Sequence, residues 1–196
     1  VPLGKWVLEK AAAQNKKWQE KGCRPIPMSV NISVRQLQEE RFIDTVKQVL
    51  KDTQLAPNYL DFEITESVMQ NSEKTARILD QLKGFGITLA IDDFGTGYSS
   101  LSYLQNYPFD ILKIDKSFID DLSDNSNDTK ITKSIIALGN SLELKICAEG
   151  VETEHAHDLI KEWGVQVFQG YYLSKPLPAD EVIPFLDARL EQVSID

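Results

Sequence analysis

The sequence predicts a parallel α/β fold, and three observations lead to it. Apolar segments rich in Ile, Val and Phe alternate strictly with amphipathic helical patterns. The polar residues inside those segments gather at their carboxyl ends. The composition, 196 residues with 42% hydrophobic and 26% charged, suits one folded unit with one sizeable core. Strict alternation implies parallel strands joined by helical crossovers, because a parallel pair cannot be linked by a tight turn.

In chain order, a helical pattern over 3–20 carries Trp6 and Trp18 on its apolar side, where core packing is the expected role. The first strand is read in "MSVNIS", 28–33, followed by a helix over 35–53. "LDFEIT", 60–65, is the second strand, and 72–84 the helix after it. "TLAIDDF", 88–94, is the third strand and enters a glycine loop, with a helix expected at 99–106. "ILKID", 111–115, is followed by the acidic run "DDLSDNSND", 120–128, expected as a solvated loop capping a helix over 128–141. "LKICAEGV", 144–151, precedes a helix over 153–163. His155 and His157, two apart in that helix, point to different faces and do not suit a joint metal site. "VQVFQGYYL", 165–173, is the sixth strand, and a helix over 179–192 closes the sequence. The aromatics of "GYYL" and "NYPF" are expected in packing or at a rim.

Asn31, Glu63, Asp92, Asp93, Lys113, Asp115, Glu149 and Gln169 all fall at strand carboxyl ends. Parallel α/β folds build their sites there, and in a (β/α)8 barrel the ends of separate strands converge on one face. Such a barrel needs eight strands in about 250 residues. Six are counted here, and the chain opens on a helix, so the fold is expected to be an incomplete TIM-type barrel lacking its N-terminal part.

Glu63, Asp92, Asp93 and Glu149, joined by the amide of Asn31, would repel one another strongly unless protons or divalent cations relieve them. Hard oxygen donors without Cys or His favour Mg2+, Mn2+ or Ca2+ over zinc. Alternation along a strand would send Asp92 and Asp93 to opposite faces, but at a strand's last residues both can turn toward one site. Paired metals there suit metal-assisted phosphodiester hydrolysis, with Lys113 orienting the nucleophile or stabilising developing charge. Taken singly, each residue has a plainer reading: "DD" before glycine as a turn or cap, Glu63 or Glu149 as an ion-pair partner, Asn31 as a loop-capping amide, Lys113 as a counterion, Gln169 as a rim amide. Their occurrence together at matching strand ends favours the site.

The formal net charge of -9 argues against a DNA or RNA polymer as partner. Cys23 and Cys147 show no CxxC spacing and lie in apolar sequence. No apolar N-terminal segment or stretch of about 18 apolar residues occurs. A reduced, cytoplasmic domain is expected, although a parent protein could be anchored to a membrane through other parts.

"SVNIS", "FEITES", "IDDFGTGYSSLSYL", "LKID", "AEGVET" and "QGYYLSKPL" together resemble the EAL-domain phosphodiesterases, which hydrolyse the bacterial messenger cyclic di-GMP. The resemblance covers almost the whole chain in the family's order. It implies a (β/α)8 barrel with two Mg2+ or Mn2+ ions, linear pGpG as product, and Ca2+ binding without supporting activity. By the same resemblance Asn31, Glu63 and Asp92 look like ligands of one metal, Asp93 like a ligand of the second, and Glu149 like part of the metal sphere. Lys113 looks like the water-orienting lysine, and Gln169 like the glutamine supporting water or substrate. Glu66 resembles the anchor of the loop after the aspartate pair, and Glu152 a residue behind the ligands. That loop and the helix after it, 94–107, resemble the family's homodimer surface. The Glu-Ala-Leu strand that names the family is not in the chain, so residues 1–196 are expected to be one N-terminally truncated domain holding strands three to eight. A sensory or GGDEF domain is expected upstream in a parent protein. The alternatives are a non-catalytic cyclic di-GMP-binding or dimerising regulatory module, and an acidic barrel enzyme for another phosphoester.

Overall fold

The computed structural model describes residues 2–66, 72–96, 104, 106–120, 122 and 127–193. Six strands lie in a single sheet in chain order: β1 (Met28–Asn31), β2 (Leu60–Thr65), β3 (Thr88–Phe94), β4 (Ile111–Ile114), β5 (Lys145–Ala148) and β6 (Val167–Phe168). Every adjacent pair is parallel. Among the described residues β1 and β6 each have one neighbour, so the sheet curls without closing and the barrel is incomplete.

Alternate residues in each strand divide the sheet into two faces. One face is apolar and fully buried: Leu60, Phe62 and Ile64 of β2, Leu89 and Ile91 of β3, Leu112 and Ile114 of β4, Ile146 and Ala148 of β5. Burying each such large side chain contributes about 1.5–3 kcal/mol. Helices cover this face: α1 (Pro2–Glu20), α2 (Val34–Leu37), α3 (Phe42–Thr53), α4 (Ser72–Gly84), α5 (Asn127–Ser141) and α6 (Glu154–Glu162); a further helix, α7 (Val182–Val193), follows β6. The Phe42 ring of α3 meets Phe62 at 6.2 Å between centroids. Gly139 of α5 lies against Ile146 and Leu112. The opposite face carries Asp61, Glu63, Asp92, Lys113 and Cys147, all buried.

Three details differ from the sequence reading. The helix expected over 35–53 is broken into α2 and α3 by a turn at 38–41. Leu37 and Phe42 are both buried. On one continuous helix they would stand about 140° apart, and the break lets both face the core. Ser33 caps α2 in a reciprocal arrangement with Gln36. Trp6 is 54% exposed instead of packed, because the buried stripe of α1 runs through Leu8, Ala12, Asn15 and Trp18, and Trp6 lies about 200° from Leu8. Trp18 is buried as expected and donates its indole N–H to Ala179 O at 2.8 Å. The sixth strand is only two residues long, because the chain turns at Gly170, whose carbonyl accepts from Leu173 N and Ser174 N. Most of the helix expected at 99–106 lies outside the described residues, of which Leu104 and Asn106 are helical, and so does most of the acidic run 120–128.

A carboxylate cluster at the carboxyl end of the sheet

Glu63 belongs to the buried β2, where alternation sends it to the face opposite Phe62 and Ile64. Asp92 does the same on β3, and Lys113 on β4. The Lys113 ammonium lies 2.8 Å from Glu63 Oε1, 2.8 Å from Asp92 Oδ1 and 2.5 Å from Glu149 Oε1. A lysine 3% exposed that meets three carboxylates from three other segments is the hub of the site. Burial alone would lower its pKa. Hydrogen bonds to Asp92, Glu149 and Glu63 outweigh that and hold it above the ordinary lysine range.

Asp93 joins the cluster through its backbone. The register between β3 and β4 shifts between Ile91 and Phe94, and Asp93 has φ +54. That bulge, with a left-handed residue in it, turns Asp93 to the side of Asp92 instead of the opposite face. Aspartate tolerates this conformation better than most side chains. Carboxylate oxygens of Asp92, Asp93 and Glu149 come within 4.8 Å of one another, a set that could hold a metal ion. Burial, then Asp92 and Asp115, raise the Asp93 carboxyl. Burial likewise raises that of Glu149, against the pull of Lys113.

The remaining expected residues stand around this centre. Asn31 is exposed at the end of β1, in register with Glu63. Gln169 is exposed just beyond β6; its backbone N donates to Ala148 O at 2.8 Å and its carbonyl accepts from Val151 N at 3.0 Å. Glu66 is half-buried, and its Oε2 has no hydrogen-bond partner among the described residues. The loop it resembles an anchor for, from Gly97 onward, lies outside them, as does most of the 94–107 dimer surface. Glu152 is exposed and pairs with Lys116 at 2.5 Å. Asp115 caps the short turn after β4, accepting from Ser117 N at 3.0 Å.

Two neighbours were not singled out from sequence. Cys147 is in register with Lys113, and burial pushes its thiol up to about 12. Asp61 is buried on the same face, and one of its oxygens, Oδ1, has no hydrogen-bond partner. Each lies two residues before a site glutamate, so strand alternation was the signal that would have found both. His155 is exposed, while His157 packs on Phe168 and Tyr172 at 4.6 and 5.3 Å between centroids, which keeps the two histidines on separate faces.

Residues 1–176 match the EAL domain family model. The chain belongs to the EAL domain family. The signaling protein YkoW of Bacillus subtilis is 41% identical over 187 residues, covering 95% of this chain and 23% of that protein. The bifunctional diguanylate cyclase/cyclic di-GMP phosphodiesterase MucR of Pseudomonas aeruginosa is 41% identical over 184 residues, covering 93% of this chain and 27% of that protein. This EAL chain thus spans about a quarter of the length of the curated relatives it matches. Among solved structures, the cyclic di-GMP complex of the PaMucR phosphodiesterase is similar with a TM-score of 0.88 at 40% identity, over 93% of this chain and 74% of that one. The EAL domain of Mycobacterium smegmatis DcpA gives a TM-score of 0.90 at 40% identity, over 95% and 84%.

Proposed function

We propose that this EAL domain hydrolyses cyclic di-GMP to linear pGpG, using two divalent cations held at the carboxylate cluster. The observation that carries the reading is the convergence of Glu63, Asp92 and Glu149 on Lys113 at the ends of successive parallel strands, with the Asp93 carboxylate beside those of Asp92 and Glu149. Four carboxylates against one ammonium leave a local excess of negative charge that hard cations suit. The donor set is oxygen throughout and therefore fits Mg2+ or Mn2+. Asn31, Glu63 and Asp92 would hold one ion and Asp93 would reach the second, with Glu149 in the metal sphere; Ca2+ would bind without supporting turnover. Bound divalent metal supplies a water acidic enough to ionise near neutral pH and neutralises phosphate charge.

The protein's own groups do the rest. Lys113, fixed by three carboxylates, holds its ammonium charged across the physiological range, and a cation that took up one of those carboxylates would free an N–H for an attacking water. Gln169, at the rim, would orient that water or the substrate. Glu66 and Glu152 act behind the ligands, and the 94–107 segment would pair two copies. The alternative is that the same carboxylate set, with its metal, binds cyclic di-GMP without cleaving it.

Formation of pGpG with Mn2+ separates the two, measured for this chain beside a version extended upstream through a Glu-Ala-Leu strand. The extended version is expected to turn over and this chain to be slow or inactive, because an open site admits water that screens its electrostatics. Binding without pGpG in both versions would establish the regulatory module instead. Comparable rates in the two would show that these residues already contain the whole active unit.

A further inference from the structure

Lys116 stands outside the carboxylate cluster, yet it is tied to the turn that presents Glu149. Its ammonium lies 2.5 Å from Glu152 Oε1 and 3.8 Å from Asp120 Oδ1. Its stem covers Gly150, where an added Cβ would overlap Lys116 Cβ, Cγ and Cδ. Gly150 has φ +64, so both the backbone and the space above it exclude a side chain. The far side of the same turn is also held. Val151 N donates to Gln169 O and Tyr172 N donates to Val151 O, each at 3.0 Å, and a Cβ on Gly170 would overlap the Val151 backbone. Residues 149–152 are therefore pinched between Lys116 and the 169–172 segment, and the first of them sends its carboxylate to Lys113.

An exposed ion pair by itself contributes little. Lys116 and Glu152 are both nearly half exposed, so their charges alone would not matter. The methylene stem seated on a glycine that can carry no side chain is the stronger restraint, with the Lys116–Glu152 contact fixing the stem in place.

We propose that Lys116 is a positioning residue for Glu149, bracing the Gly150 turn through its stem and through Glu152 so that the Glu149 carboxylate is offered to the metal-binding cluster. The inference rests on the metal reading of that cluster and extends it to a residue outside the ligand set. Groups that orient metal ligands directly change affinity by about 10- to 100-fold; Lys116 acts one step further out, so roughly 3- to 10-fold is expected.

The test is the Mn2+ dissociation constant of the full 196-residue chain by titration calorimetry, read beside the thermal midpoint of metal-free protein. Lys116→Ala should weaken Mn2+ binding by that factor while moving the metal-free midpoint little. Lys116→Met, which keeps the stem and loses the charge, should fall between it and the unaltered chain. Lys116→Glu combined with Glu152→Lys should recover part of the affinity that Lys116→Glu loses alone. Unchanged Mn2+ affinity in Lys116→Ala overturns the proposal and leaves the metal site standing. So does failure of the reversed pair to recover any affinity, which would reduce Lys116 to general packing. Absence of Mn2+ binding in the unaltered chain would sink the metal site itself, and the proposal with it.

Discussion

Lys113 holds one ammonium against three carboxylates, and this makes its replacement more damaging than loss of one contact would suggest. In an active parent enzyme, Lys113→Ala should lower turnover far more than substrate affinity, by about 100-fold or more for a group acting on the reacting water. Asp93→Asn should behave alike, since it keeps the backbone and the volume and removes only the negative charge. Steady-state kinetics of both, beside the surface control Glu73→Gln, check this; equal losses in the control would refute the assignment. Asp61 gives a second test at this scale. Burial raises its carboxyl, Thr88 opposes, and Glu63 and Asp110 add to the rise. A carboxyl raised in the folded state contributes stability below its unfolded pKa and loses it as pH climbs through the folded one. Asp61→Asn should therefore raise stability at pH 8 by chemical denaturation, with the gain shrinking at pH 4, near the ordinary aspartate value. A loss of equal size at both would mean that the ionised form makes a favourable contact.

The elements that were legible in the sequence are those whose pattern matches their burial. β2 and β3 read as strands because Leu60, Phe62, Ile64, Leu89 and Ile91 recur at every second position, and Glu63 and Asp92 stood out as candidates because they fall at the carboxyl ends of those strands. The break between α2 and α3 was not legible: "QEER" contains no Gly or Pro, and only the need to bury both Leu37 and Phe42 imposes the turn. The shortness of β6 was hidden for a related reason, since the limit is set by Gly170 approaching Val151 from a distant segment. These contacts predict a contrast between two glycines. At Gly170 an added methyl meets backbone that cannot rotate away, and Gly170→Ala should destabilise by about 2–3 kcal/mol. At Gly139 it meets the tip of the Ile146 side chain, which can move, and the helix gains from alanine, so Gly139→Ala should be within about 1 kcal/mol of the unaltered protein. Urea denaturation of the two decides.

At the scale of the molecule, an open curled sheet with a concentrated acidic rim has two consequences. Divalent metal should stabilise it, because binding to the native cluster and not to the unfolded chain adds about 2.7 kcal/mol at a hundredfold excess over Kd. Thermal melts of EDTA-stripped protein should shift upward with millimolar Mg2+, Mn2+ or Ca2+; no shift with any of them would count against an assembled site. The edges of β1 and β6 that lack a strand neighbour among the described residues, with Leu3, Trp6 and Val7 exposed on α1, should also make the chain associate as its concentration rises. Light scattering across a concentration series tests this, and a strictly monomeric chain would show that the edges are covered. No helix among the described residues is long and apolar enough to cross a membrane.

The left-handed backbone at Asp93 also bears on how such a domain could lose its chemistry over generations. Few side chains sit comfortably at that φ, and those that do best are glycine, asparagine and aspartate. Once selection for turnover is lifted, drift at this position is channelled: most codon changes are removed because they disturb the fold, and the survivors are enriched in Gly and Asn. A mutational library sorted only for folded protein should return those two at position 93 ahead of every other replacement. A relative carrying either would then record relaxed selection on catalysis rather than on folding.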